Sequence, residues 1–438
     1  MKVLKFGGTS VGTAQRMRDV AKLINDGKQN IVVLSAMSGT TNSLVEISDY
    51  LYKKNHDGAN EVINRLLEKY TNVVNELYNT KEYKDKAHEI IGSFFNYIRS
   101  LVKDLFTLFE ERIILAQGEL MSTSMMDLYL KEIGVNSVII PALDYMRTDK
   151  NAEPVPTYIK EKLSKLLEKS PDADLYITQG FICLNAYGEI DNLQRGGSDY
   201  TASLVGGAVQ AEEIQIWTDI DGMHNNDPRV VENTSPVRHL NFDEAAELAY
   251  FGAKILHPTC ILPAKLNNIP VKLLNTMQPD APGTTISNYL EKDKIKAVAA
   301  KDNITSIKIK SGRMLLATGF LRKVFEIFET YHTPIDMVTT SEVGVSITID
   351  NAKHLDEIVK NLKKYGTVIV DKDMVIICVV GDLEWDNVGF AAKIIDALKD
   401  IPVRMISFGG SNFNVSLLIK SSDKTCALKA LSENLFNK

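Results

Sequence analysis

The chain has 438 residues, too many for one ordinary domain, so two or three are expected. With 45% hydrophobic and 24% charged residues it has the balance of a globular protein with ample core, and no apolar run reaches bilayer-spanning length. A net charge of −6 argues against a nucleic-acid partner, and four scattered cysteines without a CxxC pair read as reduced thiols of a cytoplasmic protein.

The first ten residues, MKVLKFGGTS, carry glycines where a secretory leader would carry its apolar core, so no leader is expected. Residues 3–6 read as a short buried strand, GGTSVG as a turn, and 14–25 as an amphipathic helix. A second strand, 31–34, runs into the small-residue turn SAMSGTTN (35–42). This opening predicts an α/β domain with a largely parallel sheet. Residues 43–131 have helical periodicity and read as helices covering that sheet. Strands return at 135–140, 175–178 and 214–217, each leading into a polar or glycine-rich turn, where α/β sites are usually built.

Beyond residue 292 a rough repeat of order β-α-β-β-α-β appears. The first copy comprises strand 304–310, helix 317–331, strands 335–340 and 344–350, helix 352–364 and strand 367–370. The second comprises strand 375–380, helix 388–399, strands 402–408 and 413–419, and helix 424–435. PIDMVTTSEVGVSITI (334–349) and PVRMISFGGSNFNVSLLI (402–419) are the matching segments. The second copy lacks its last strand, and the spare strand 296–301 is expected to complete it.

Five motifs carry chemistry. In KFGGTS (5–10), glycines between a strand and a helix allow close backbone approach to an anion such as phosphate, with Lys5 able to neutralise it. An ordinary tight turn with a surface lysine is the alternative, and the spacing is not that of a Walker A loop. QRGGSDYTAS (194–203) repeats the device with a helix from about Tyr200. Arg195 offers a fork for a carboxylate or phosphate, whereas Ser198 or Asp199 alone would be explained as helix caps. In IWTDIDGMHNNDPR (216–229), Asp221 and Asp227 read as turn formers, and Thr218 and Asp219 at the strand end as ribose or phosphate contacts. In ELAYFGAKILHP (247–258), Lys254 lies on a helical stretch ending at His257-Pro258, where a lone lysine is usually solvated. In AQGELMSTSMMD (116–127), Glu119 precedes an apolar helix, so capping competes with a ligand role. No His, Cys and carboxylate grouping has metal-ligand spacing. Glycine-helix anion sites with isolated cations fit phosphoryl transfer, in which Mg²⁺ is held largely by the nucleotide.

Taken together, KFGGTSVG, RGGSDYTA, WTD, DPR and GAKILHP, with the repeated tail, resemble an aspartate kinase (aspartokinase) of the amino acid kinase family with C-terminal tandem ACT domains. The resemblance implies a mainly parallel sheet sandwiched by helices over residues 1–292, then a regulatory region over 293–438. That region would hold ferredoxin-like ACT units at about 304–371 and 374–438. It implies ATP-dependent phosphorylation of the β-carboxylate of L-aspartate, the first step of lysine, threonine and methionine biosynthesis. Lys5, Phe6, Gly7 and Gly8 would hold ATP phosphates, with Asp199 orienting Lys5. Thr218, Asp219, His224, Arg229 and Lys254 would contact the nucleotide. Thr41, Glu119, Arg195, Gly196, Gly197 and Ser198 would hold L-aspartate, with Glu119 meeting the ammonium. Met314, Phe320, Leu321, Asp336 and Ser341 would line an effector pocket for lysine or threonine. A homodimer through the ACT units is implied as well.

The sequence departs from the family pattern in four places. Gln194 and Cys183 stand where glycine is common, His224 where relatives that bind nucleotide carry tyrosine, and Ala317 where lysine-sensitive relatives carry a polar residue. Three alternatives stay open: another kinase of the superfamily, an amino-acid sensor whose kinase portion is inactive, and ACT units that serve only dimerisation.

Overall fold

The computed structural model describes every residue except Asp104, Gln194, Arg195, 253–256, 312–317 and 437–438. The chain forms two compact units: residues 1–223 with 255–288, and residues 224–254 with 289–438. In chain order the first unit runs β1 (Lys2–Phe6), α1 (Ala14–Ile24), β2 (Asn30–Leu34), α2 (Thr40–Tyr52), α3 (His56–Leu77), α4 (Lys81–Ser100) and α5 (Leu108–Glu132). It continues with β3 (Ser137–Ile139), α6 (Ala142–Tyr145), α7 (Pro156–Leu167), β4 (Leu175–Gln179), the hairpin β5 (Ile182–Leu184) and β6 (Ile190–Asn192), α8 (Gly197–Val209) and β7 (Ile214–Thr218). The second unit then takes β8 (His239–Asn241) and α9 (Phe242–Tyr250). The first closes with α10 (Pro258–Leu266), β9 (Val271–Asn275) and β10 (Thr284–Ser287).

Strands of the first unit lie in the order β3-β4-β2-β1-β7-β9-β10, parallel except for β10 against β9. The apolar runs KVLKF and NIVVL are almost wholly buried, as a sheet covered on both faces requires. Phe6 and Trp217 stack with ring centroids 5.7 Å apart. β1 is flanked by β2, which follows it, and by β7, which comes near the end of the unit. The loops after these strands therefore diverge at the C-terminal edge of β1, the place where open α/β sheets form their crevices. Helices α3, α4 and α5 share one apolar core with the sheet, and Tyr70 meets Phe95 edge-on at 5.8 Å.

The second unit continues with β11 (Ile295–Lys310), α11 (Phe320–Thr330), β12 (Val338–Ser341), β13 (Gly344–Ile349), α12 (Leu355–Leu362), β14 (Thr367–Gly381), α13 (Phe390–Ala397), β15 (Met405–Phe408), β16 (Asn414–Lys420) and α14 (Lys424–Leu435). Its antiparallel sheet has the order β12-β13-β11-β14-β16-β15. The expected strands 296–301 and 304–310 are one strand, β11, and 367–370 and 375–380 are one strand, β14. Asp302-Asn303 and Lys372-Asp373, which fall between the expected strands, pass through the sheet as irregularities, with Asn303 and Asp373 at positive φ. Residues 297–301 pair with 376–380, and 306–310 pair with 367–371. The sheet thus carries two separate cores, one around Ile307, Val324 and Ile347 and another around Ile377, Ile394 and Leu417.

Ile377 is fully buried, and its truncation leaves a cavity that the surrounding strands cannot fill. Ile377→Ala is expected to lower stability by about 2–5 kcal/mol in denaturant titration. A loss under about 1 kcal/mol would show that this core does not hold the second unit together.

Candidate functional site

An open cleft of about 390 Å³ lies at the C-terminal edge of the first unit's sheet. Lys5 and Gly8 line it from the β1 loop, Ser35 to Gly39 with Thr41 and Asn42 from the β2 turn and α2, Glu119 from α5, Phe181 from the β4 turn, and Gly196 to Asp199 from the start of α8. Two helices point their N-termini into it. Gly39 (φ 79°) and Gly196 (φ 71°) cap α2 and α8 in the left-handed conformation, and neither helix has a side-chain cap. Thr40 N–H donates to Met37 O at 2.9 Å, and no side chain caps the N–H groups that follow it in α2 or those at the start of α8, where the helix field favours negative charge.

Lys5 ends β1 with its Nζ 2.6 Å from Oδ1 of Asp199, in the first turn of α8, and both side chains are largely buried. Helix α8 begins at Gly197 rather than near Tyr200, which places Ser198 and Asp199 inside the helix rather than before it. Close approach explains the glycines around this pair. A Cβ on Gly8 would stand 2.7 Å from the Ala36 carbonyl oxygen, and one on Gly180 would stand 2.5 Å from the Ser198 side chain. Ser38 N–H donates to Gly8 O at 3.0 Å, and Ser35 N–H to Phe6 O at 3.1 Å, so the β1 and β2 loops form one surface.

Glu119 lies in the middle of α5, so the helix-capping alternative is excluded. It is 4% exposed, and Oε1 accepts the Ala36 N–H at 3.2 Å. Oε2 is buried and has no hydrogen-bond partner among the described residues. Burial pushes the carboxyl group from the ordinary 4.5 up to about 8, against the smaller effect of the Ala36 N–H. Gly118 beside it lets the helix approach the β2 turn, since a Cβ there would meet Ala36 Cβ at 2.8 Å. The site therefore sets a buried acid with a spare oxygen across from a cation and two helix N-termini. That polarity suits a small molecule carrying an ammonium and anionic groups.

Of the residues read from sequence, Lys5, Gly8, Thr41, Glu119, Gly196, Gly197, Ser198 and Asp199 come together in the cleft. Phe6 is buried in the sheet, and Gly7 turns its N–H onto Trp217 O at 3.3 Å, so neither lines it. Thr218 ends β7, where its Oγ1 accepts the Ile220 N–H at 3.2 Å, and Asp219 is exposed in the following turn. Arg195, Lys254 and Met314 lie outside the described residues, and α9 ends at Tyr250, short of the helical stretch expected through His257. The sequence reading missed Ser35 to Gly39, Asn42 and Phe181. The small-residue turn 35–42 signalled all of these but Phe181. Nothing marked Phe181, a bulky residue at φ 68° whose N–H donates to Thr201 Oγ1.

In the second unit, His224 Nδ1 lies 2.8 Å from Thr234 Oγ1, and Arg229 makes a two-point pair with Asp227 at 2.9 and 2.8 Å. Asp336 is buried there. Its Oδ1 is 2.6 Å from Lys301 Nζ and accepts the Tyr250 hydroxyl at 3.1 Å, while Oδ2 has no hydrogen-bond partner among the described residues. Phe320 is buried, whereas Leu321 and Ser341 are exposed. Among the described residues no group of three His, Cys, Asp or Glu side chains could hold a metal ion, and no helix is long and apolar enough to cross a membrane.

Comparison with known proteins places these features in a family. The amino acid kinase family model matches residues 1–275, and an ACT domain model matches residues 377–435. The chain is 33% identical over 461 residues to the chloroplastic aspartokinase 1 of Arabidopsis thaliana, covering 99% of this chain and 80% of the relative. The crystal structure of E. coli aspartokinase III in complex with aspartate and ADP (R-state) matches over 100% of both chains, with a TM-score of 0.88 and 30% identity. That of the same enzyme in complex with lysine and aspartate (T-state) matches over the same share, with a TM-score of 0.79 and 32% identity. The chain belongs to the amino acid kinase family and, within it, to the aspartokinases.

Glu119 also makes stability depend on pH. Its folded value lies above the unfolded one, so its contribution is present below about 4.5 and is lost as pH rises through about 8. Relative to Glu119→Gln, the wild-type melting temperature is expected to fall between pH 5 and pH 8.5. A constant difference across that range would mean that the carboxyl group is not held neutral.

Proposed function

We propose that this chain transfers the γ-phosphoryl group of ATP to the β-carboxylate of L-aspartate in the cleft between Lys5 and Glu119. The observation that carries the reading is the buried, half-partnered Glu119 carboxyl group lining the same amino-acid-sized pocket as the Lys5–Asp199 pair. Glu119 takes the substrate ammonium, Arg195 grips a carboxylate, and Thr41 with the Gly196–Ser198 backbone completes the seat. The β-carboxylate is ionised at neutral pH and needs no general base. One of its oxygens attacks the γ-phosphorus, the bond to the β,γ-bridging oxygen breaks, and the electron pair leaves with ADP. Lys5, with Gly8, meets the phosphates and balances charge developing on the transferred group, while Asp199 aims its ammonium. Thr218 and Asp219, at the end of β7, hold the rest of the nucleotide.

Mg²⁺ would enter as an ion carried by the nucleotide, because hard cations of this kind commonly sit on phosphate oxygens. It would supply charge neutralisation between phosphates.

On the same reading, residues 1–292 form the catalytic region of a cytoplasmic homodimer, and 293–438 form two ACT units that pair the protomers. The second ACT unit is completed by strand 296–301. The first binds an amino-acid effector at Met314, Phe320, Leu321, Asp336 and Ser341. The spare oxygen of Asp336 favours an effector with a side-chain amine, hence lysine over threonine.

Trapping acyl phosphate with hydroxylamine tests the chemistry, using Mg-ATP with L-aspartate or L-glutamate. Aspartate-dependent product, lowered by added lysine more than by threonine, is expected. Lys5→Ala should cut turnover on the order of a hundredfold while leaving the melting temperature within a few degrees. Activity near wild type in that variant would remove Lys5 from the phosphate site.

A further inference from the structure

Helix α3 lies outside the motifs read from sequence, yet two of its neighbouring side chains grip the rim of the cleft. Lys69 Nζ donates to the carbonyl oxygen of Ser38, and a Cβ built on Gly39 would lie 3.7 Å from that ammonium. The adjacent Tyr70, fully buried, places its hydroxyl 3.1 Å from Thr40 Oγ1. Ser38 and Gly39 both line the cleft. Lys69 is half-buried, and among the described residues no carboxylate lies within ion-pair distance of it. Partial burial also lowers its pKa from the ordinary lysine value. A lysine placed at this cost without an acidic partner calls for a task other than a salt bridge.

Peptide geometry supplies the task. The Ser38–Gly39 bond is trans, so its carbonyl and its N–H point in opposite directions. With the carbonyl held by α3, the Gly39 N–H faces away from α3, and Gly39 itself lines the cleft. It donates to no group among the described residues. The left-handed φ of Gly39 then carries the chain into α2, whose N-terminal field reinforces the donor.

We propose that Lys69 is a positioning residue for substrate binding: by anchoring the Ser38 carbonyl it aims the Gly39 N–H at a carboxylate oxygen of the amino-acid substrate. The proposal rests on the assignment of L-aspartate to this cleft. Lys69 touches no reacting atom, so its loss acts on the substrate whose seat it shapes.

The test is steady-state kinetics of the full-length chain as wild type, Lys69→Met and Lys69→Arg, with melting temperatures recorded alongside. Lys69→Met is expected to raise the aspartate KM about tenfold, the scale of one charge-assisted hydrogen bond. The ATP KM at saturating aspartate should stay within about twofold, the melting temperature should be unchanged, and Lys69→Arg should recover most of the loss. An aspartate KM within twofold of wild type in folded Lys69→Met would overturn the proposal. So would equal rises in both KM values with a lowered melting temperature, which is the signature of a merely structural residue. If Lys69→Met fails to fold, Lys69→Gln is judged by the same criteria. Wild-type protein that makes no aspartyl phosphate would instead overturn the underlying assignment, and the proposal with it.

Discussion

The ion pair between Lys5 and Asp199 ties the end of the central strand to the first turn of α8, and the cleft is organised around it. At 2.6 Å in a largely buried setting, the pair keeps a cation at the head of the sheet without leaving it uncompensated. Its geometry sets demands on the chain around it. β1 must run between β2 and β7, α8 must start immediately at Gly197, and the surrounding loops must come within van der Waals distance. The glycines at 8, 180 and 197 satisfy the last demand, because each stands where a Cβ would collide with backbone or with a packed side chain.

Around that pair the field is uneven, and the unevenness gives the site its selectivity. Two uncapped helix N-termini and Lys5 make one side attractive to anions. Glu119 offers the other side a carboxyl oxygen that has lost water and found no partner. A ligand with an ammonium at one end and carboxylates at the other relieves both conditions at once. A simple dicarboxylate without the amine would leave Glu119 unsatisfied, which is how a buried polar group rejects a close analogue.

Much of this arrangement was legible in the sequence because turn chemistry is local. KFGGTS and RGGSDYTA announce strand-to-helix turns through glycine, and the structure brings their lysine and aspartate together. Glu119 was harder to place, since glycine before an apolar run reads as a helix start. Gly118 is there for a tertiary reason, the contact with Ala36, that no local rule contains. For the same cause the sequence shows separate strands on either side of Asp302-Asn303 and of Lys372-Asp373. Their irregularity is absorbed by neighbouring strands, so β11 and β14 stay continuous. Lys69 and Tyr70 were invisible as site residues, because helical periodicity separates buried from exposed faces but does not say which loop a face meets. Phe181, held at positive φ by hydrogen bonds from elsewhere in the fold, had no signature at all.

The measurement that bears most directly on the central claim is calorimetric titration of L-aspartate at pH 7, repeated in buffers of different ionisation enthalpy. Free Glu119 is held protonated, and an ammonium seated on it favours the ionised form. Binding is therefore predicted to release close to one proton per site, and Glu119→Gln to abolish that release. Aspartate binding with no proton exchange in the wild type, or with the same release in Glu119→Gln, would contradict the placement of the substrate ammonium on Glu119.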